Sequence, residues 1–131
     1  MSTLKYKGII VEVHQKHNGV HPIEQVKHPG GVCVGALTPH GTLLFVKQHR
    51  FGIEKDLLEF PAGLIEPHED PQLTAIRELE EETGYLAKTI HDLGRFYLSP
   101  GYSNEVIHLY YAHDLVKTKQ NLDPFESLEV I

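Results

Sequence analysis

The segment from Asp70 to Gly84 constrains the fold more than any other, because it carries both a start and a stop signal for an α-helix. Asp70 is a residue type that caps helices, and Pro71 suits the first helical position. Gly84 suits the left-handed conformation that ends many helices. The sequence therefore predicts one helix over Pro71–Thr83, with an apolar side formed by Leu73, Ala75, Ile76 and Leu79.

Strand patterns lie on both sides of this helix, as short apolar or alternating runs separated by turn signals such as Asn18-Gly19. Loops are expected at Arg50–Asp56 and Gly63–Asp70. The expected strands are Leu4–His14, Val20–Lys27, Gly31–Leu37, Thr42–Gln48, Ala87–Arg95 and Glu105–Ala112. Leu57–Phe60 is a short apolar stretch that Pro61 ends. Strands, one helix and further strands in this order indicate an α+β domain with a mixed or largely antiparallel sheet.

Composition excludes several classes of protein. The 131 residues are enough for one domain, and 40% hydrophobic with 23% charged residues is typical of a soluble globular chain. The apolar runs are too short for a membrane helix or a signal peptide. A net charge of −6 argues against a nucleic-acid surface, and the single cysteine, Cys33, favours the reducing cytoplasm. We therefore expect neither a nucleic acid nor a membrane as partner.

Three glutamates of the predicted helix, Glu78, Glu81 and Glu82, share one face at helical spacing. Like charges at these positions repel, and the negative end of the helix dipole is close by. Such a face is either a solvated acidic surface or a set of hard oxygen ligands for divalent cations. The residues of the helix alone leave both interpretations open.

The spacing around these glutamates favours the second interpretation. Gly63 and Glu69 are separated by five residues, and seven more precede the run Arg77-Glu78-Leu79-Glu80-Glu81-Glu82-Thr83-Gly84-Tyr85. This pattern resembles the Nudix box, G-x5-E-x7-R-E-U-x-E-E-x-G-U, in which U is a bulky apolar residue. Tyr85 is the one soft departure, being aromatic where an aliphatic residue is more usual.

The resemblance implies a Nudix fold, a mixed β-sheet sandwiched with α-helices (α/β/α) and preceded by an N-terminal antiparallel strand pair. It also implies a site with two or more Mg²⁺ or Mn²⁺ ions. Gly63, Arg77 and Gly84 would support the box structurally. The metal ligands that the resemblance implies are Glu78, Glu81, Glu82, the backbone carbonyl of Ala62 and, as an outer or occasional ligand, Glu69.

Segments outside the box are similar to those of ADP-ribose pyrophosphatases. They are Val46–Arg50 (VKQHR), Leu58–Glu66 (LEFPAGLIE) and Tyr97–Gly101 (YLSPG). Taken alone, an arginine that ends a strand is often a surface residue, and Pro-Gly is often only a turn. The resemblance implies substrate contacts by Arg50, Glu59, Ser99, Pro100 and Gly101.

The general base is expected to be a carboxylate, since a carboxylate can accept a proton from an acidified water. The segment Asp123–Val130 resembles the late loop that often supplies this base in the family, which points to Glu126. Glu105 is the competing candidate, and it could instead bind metal or ribose.

The expected function is hydrolysis of ADP-ribose or a similar nucleoside diphosphate sugar to AMP and a sugar phosphate. The alternatives are another nucleotide substrate (GDP-mannose, a diadenosine polyphosphate or an oxidised nucleoside triphosphate) and a non-catalytic Nudix domain that senses its ligand. Residues 1–28 are expected to pair two subunits into a homodimer. Residues 29–131 would form the Nudix domain, without the C-terminal helix that is usual in relatives.

Overall fold

A computed structural model describes residues 2–122 and 128–131. Its elements are β1 (Thr3–Lys7), β2 (Glu12–Asn18), β3 (His21–Lys27), β4 (Gly31–Ala36), β5 (Val46–Arg50), β6 (Lys55–Glu59), β7 (Ala62–Leu64), α1 (Pro71–Thr83), β8 (Tyr85–Tyr97), β9 (Val106–Lys117) and β10 (Leu128–Val130).

The strands form three sheets. The four-stranded sheet has the order β7-β4-β9-β8, in which β4 and β9 run parallel and the outer pairs run antiparallel. The orders of the two antiparallel sheets are β10-β5-β6 and β1-β2-β3. The predicted α+β class with a mixed sheet is therefore confirmed.

The helix α1 has the predicted bounds because its two ends are capped as expected. The Asp70 carboxylate accepts the backbone N–H groups of Gln72 and Leu73, at 3.1 and 3.3 Å. Gly84 adopts a left-handed φ of 76° and donates its N–H to the carbonyl of Glu80. A Cβ atom at Gly84 would also lie 3.1 Å from the backbone nitrogen of Gln120, so the glycine also permits close chain packing.

The main core lies between α1 and the four-stranded sheet, where Ala75 and Leu79 are fully buried. Complete burial of a leucine side chain contributes about 1.5–3 kcal/mol. The prediction that Leu73 belongs to the apolar side is wrong, since this side chain is 60% exposed. Glu78 and Glu82 lie on the buried side of the helix instead.

The N-terminal region contains three antiparallel strands instead of the expected pair. The predicted strand Leu4–His14 is broken at Gly8, whose N–H donates to the carbonyl of Val11 at 2.8 Å. The chain reverses there, so that Lys7 pairs with Glu12. The following turn is at the predicted position, with Gly19 at a φ of 63°.

Two other segments differ from the expectation because their hydrogen-bonding partners are distant in sequence. The predicted strand Thr42–Gln48 changes partner, since Leu44 bonds to the end of β4 and the regular strand begins only at Val46. The predicted loop Gly63–Asp70 begins inside β7, which pairs with the edge of β4. Pairing with β4 holds β7 beside α1, where Gly63 approaches the side chain of Glu78.

Within residues 2–122 and 128–131, α1 is the only helix, and it packs against the four-stranded sheet. No helix in this described part of the chain is long and apolar enough to cross a membrane.

Candidate metal and substrate site

A cavity of about 1230 Å³ opens beside the carboxylate face of α1. Strands β5, β6 and β7 form the neighbouring walls. The predicted site residues that line it are Arg50, Glu59, Ala62, Gly63, Arg77, Glu78, Glu81, Glu82 and Glu105. Most of the residues selected from the sequence therefore meet in one place.

Two carboxylates of this cavity are largely buried, with Glu78 and Glu82 only 9% and 4% exposed. Strand β7 approaches them closely: the Glu82 carboxylate accepts the backbone N–H of Ala62 at 3.2 Å. A Cβ atom added to Gly63 would lie 2.1 Å from Cδ of Glu78. Burial of ionised carboxylates is costly unless hydrogen bonds or cations compensate for it, and here Ala62 and Arg77 supply hydrogen bonds to Glu82 and Glu78.

Arg77 holds the carboxylates of this face in place. Its guanidinium forms a bidentate pair with Glu69, with N···O distances of 2.8 and 2.9 Å. Its Nη1 donates to Glu78 at 3.0 Å and to Glu81 at 3.1 Å. The hydrogen bond from Arg77 lowers the pKa of Glu69 to about 2, and the same bond raises the pKa of Arg77. The contacts are those expected of a residue that orients acidic ligands.

The donor chemistry of this face fits Mg²⁺ or Mn²⁺, which bind a few carboxylate oxygens and keep several waters. In the described ranges, no three Asp, Glu, His or Cys side chains already form a closed ligand set. Arg77 and the Ala62 N–H hold the carboxylates of Glu78, Glu81 and Glu82 instead. A cation would have to share these oxygens with Arg77 and the backbone.

Arg50 and Glu59, both predicted to contact substrate, contact each other across β5 and β6. The N···O distances of this bidentate pair are 2.6 Å (Nε–Oε2) and 2.8 Å (Nη2–Oε1). The hydrogen bond to Glu59 raises the pKa of Arg50, which therefore stays charged. A phosphate would have to approach the opposite edge of the guanidinium, which carries Nη1.

The predicted substrate residues Ser99, Pro100 and Gly101 lie in the connection between β8 and β9 and are not among the described residues that line the cavity. The carbonyl of Ser99 accepts the N–H groups of the turn that follows. The same loop is bound to β3, since Val26 donates to the carbonyl of Tyr102 at 2.7 Å. Contact of Ser99, Pro100 and Gly101 with substrate stays a prediction. The predicted base Glu126 lies outside the described residues.

Sequence reasoning missed an apolar rim on the cavity. Ile9 and Ile10 come from the connection between β1 and β2, and Phe51 and Ile53 come from the β5–β6 turn. All four are exposed, and Phe51 is 78% exposed. Apolar residues at the predicted polar loop Arg50–Asp56 were the available signal, because exposed apolar groups that cluster mark binding surfaces.

The site and the fold together define a class of protein in which an acidic helix packs on a mixed sheet, beside a cavity that is also lined by an arginine. The sequence profile of the NUDIX domain matches residues 26–130. The chain therefore belongs to the NUDIX domain family. A crystal structure described as that of an ADP compounds hydrolase aligns over 99% of this chain and 76% of that one, with a TM-score of 0.79. At 21% identity, this likeness concerns the fold alone.

The chain is also similar to several curated proteins. It is 46% identical over 110 residues to the ADP-ribose pyrophosphatase of Bacillus subtilis, and 47% identical over 111 residues to the methanol dehydrogenase activator of Bacillus methanolicus. In both cases the match covers 82% of this chain and 60% of the relative. The ADP-ribose pyrophosphatase of Mycobacterium tuberculosis is 37% identical over 105 residues, which cover 79% of this chain and 51% of that protein. The chain thus spans only part of the length of these relatives.

Proposed function

We propose that this chain hydrolyses the diphosphate bond of ADP-ribose or a similar nucleoside diphosphate sugar, with Mg²⁺ or Mn²⁺ as cofactor, to AMP and a sugar phosphate. The observation that carries the proposal is the meeting of Glu78, Glu81 and Glu82 with Arg50 in one cavity. A diphosphate needs positive charge around it, and an acidic cavity can bind it only together with cations.

The acidic residues of the cavity and Arg77 have defined roles in this proposal. Bound divalent ions would neutralise the diphosphate and acidify the attacking water. Glu78, Glu81 and Glu82, with the carbonyl of Ala62, would hold the ions, two or more per site. Arg77 keeps the carboxylates of Glu78 and Glu81 oriented. Glu69 acts through its bidentate pair with Arg77.

Other residues of the cavity would position the substrate and accept the proton. The Nη1 edge of Arg50 would bind a phosphoryl oxygen, while Glu59 fixes the orientation of that guanidinium. Water adds to one phosphorus as the bond to the bridging oxygen breaks, and a carboxylate accepts the proton of the water. Glu105 lines the cavity and is the candidate base within the described chain, with Glu126 as the alternative.

The choice of ADP-ribose is supported by similarity to other proteins and by the apolar rim of the cavity. The relatives from B. subtilis and M. tuberculosis are both named ADP-ribose pyrophosphatases. The segments ending at Arg50, Glu66 and Gly101 resemble those of the same group. The apolar rim at Phe51 and Ile53 is suited to the flat face of a nucleobase.

A substrate panel with Mg²⁺ tests the proposal, with phosphate measured after phosphatase treatment of the products. We expect a higher kcat/KM for ADP-ribose than for GDP-mannose or diadenosine tetraphosphate. The reverse order would overturn the proposed preference for ADP-ribose, while the proposal of a Nudix hydrolase would stand. Tight binding of ADP-ribose without hydrolysis of any compound would favour a sensing domain instead.

We also propose that the chain forms a homodimer through its N-terminal strands. The apolar side chains of Leu4, Tyr6 and Ile10 in this region are about half exposed, and those of Ile9 and Val20 are more exposed still. A small sheet with such a surface is marginal in water, and a second copy would cover it. Light scattering at micromolar concentration tests this, since a mass near the 14.8 kDa of one chain would reject the dimer.

A further inference from the structure

His28 has no role in the proposed mechanism and lies where three segments of the chain meet. It follows β3, precedes β4 and contacts the end of the β8–β9 connection. Its backbone N–H donates to Oδ1 of Asn104 at 2.8 Å, and its ring nitrogen Nδ1 accepts the N–H of Gly30 at 2.9 Å. The side chain is 13% exposed and lines the same cavity as the acidic helix.

The bond from Gly30 determines where the imidazole carries its proton. An N–H group can donate only to a ring nitrogen with a free lone pair, so Nδ1 is unprotonated. The proton of the neutral ring is therefore at Nε2. This nitrogen lies 3.6 Å from Oε2 of Glu105. Catalytic hydrogen bonds are often long before substrate binds and shorten in the complex.

Glu105 has a fixed backbone and a carboxylate that faces the cavity. Its N–H donates to Oγ of Ser103 at 3.0 Å, and its carbonyl accepts the N–H of Leu98. Its side chain is 29% exposed and lines the cavity together with His28. The Nε2–H of His28 is thus the group that can restrain one carboxylate oxygen while the other stays directed to a ligand.

We propose that His28 is a positioning residue for Glu105: Gly30 fixes its tautomer, and its Nε2–H holds the Glu105 carboxylate on the cavity wall. The proposal rests on the proposed function, because it assigns to Glu105 a part in binding or hydrolysis of the diphosphate substrate. His28 itself touches no reacting atom in this scheme.

Two substitutions of His28 separate its hydrogen bond with Gly30 from its 3.6 Å contact with Glu105. An asparagine side chain places an oxygen where Nδ1 is, so His28→Asn keeps an acceptor for Gly30 and loses the donor to Glu105. A glutamine side chain reaches the position of Nε2, so His28→Gln keeps the donor and loses the acceptor at its original place. The pair therefore distinguishes positioning of Glu105 from support of the backbone.

The assay is steady-state hydrolysis of ADP-ribose by the full chain, with thermal denaturation of each variant. Loss of a supporting hydrogen bond to a site residue costs about 10–100-fold in activity, and we expect this loss in kcat/KM for His28→Asn. His28→Gln should keep most of the wild-type kcat/KM. Thermal stability should follow the opposite order, with His28→Asn close to wild type and His28→Gln lower.

A double substitution and a spectroscopic measurement complete the test. His28→Asn should cost nothing further in a chain that already carries Glu105→Gln, because the two act as one unit. Independent losses, or full activity of His28→Asn, would overturn the proposal. If the wild type hydrolyses nothing, the proposed function fails. The ¹⁵N resonances of the His28 ring then still test the positioning role of His28. A proton on Nδ1, or no response of the Nε2 resonance to Glu105→Gln, would refute that role.

Discussion

Replacement of Gly63 by alanine should reduce activity strongly while leaving stability almost unchanged. The added Cβ would lie 2.1 Å from Cδ and 2.4 Å from Cγ of Glu78, although Cβ atoms keep more than 3.0 Å from such neighbours. The Glu78 side chain must therefore leave its position. It then no longer presents its carboxylate beside Glu81 and Arg77, where the proposed cations bind.

The effects of this change on stability largely cancel. Moving Glu78 away from its preferred rotamer costs about 0.5–1.5 kcal/mol. Alanine in place of glycine gains about 0.4–1 kcal/mol, because the unfolded chain loses freedom. The free energy of unfolding should thus change by less than about 1 kcal/mol. Displacement of a reacting group by about 1 Å can cost 10²-fold in rate, so kcat/KM should fall by about two orders of magnitude.

The measurement is kcat/KM for ADP-ribose at saturating Mg²⁺, with a urea or thermal denaturation curve for each variant. Gly35→Ala is the matched control, since a Cβ there meets only the carbonyl of Tyr110 at an ordinary 3.9 Å. The control should keep wild-type activity. Full activity of Gly63→Ala would refute the reasoning, because it would show that the position of Glu78 is unimportant.

Three further predictions concern the acidic face. Glu82→Gln should lose most turnover while its melting temperature stays level or rises, because repulsion among the carboxylates is relieved; near-wild-type turnover at saturating Mg²⁺ would contradict the metal assignment. Chelation by EDTA should abolish hydrolysis, and added Mn²⁺ should restore it; activity that persists under chelation would exclude a metal role. The pKa of Glu69 falls from 4.5 to about 2 through its bond to Arg77, so its stabilisation is complete above pH 4.5 and is lost as the pH falls towards 2. Screening by solvent reduces this stabilisation to about 1–2 kcal/mol. In urea titrations, the free energy of unfolding should fall less between pH 7 and pH 3 for Glu69→Gln than for wild type.

The sequence by itself determined the features that depend on local spacing. Helix bounds follow from Asp70 and Gly84, whose caps involve only residues of the first and last turns. Glu78 and Glu82 meet on one face because four residues separate them on a helix of about 3.6 residues per turn. The box spacing was therefore enough to predict the family and the acidic face of the site.

Only the tertiary structure decided how distant segments meet. The pairing of Arg50 with Glu59 depends on the register of β5 and β6, and the contact of His28 with Glu105 joins residues more than seventy positions apart. Leu73 is exposed although it fits the apolar helical pattern, because the sheet packs against the side that carries Thr74 and Leu79. Such contacts arise from the packing of whole elements, and local preferences are routinely overridden when that packing buries more surface.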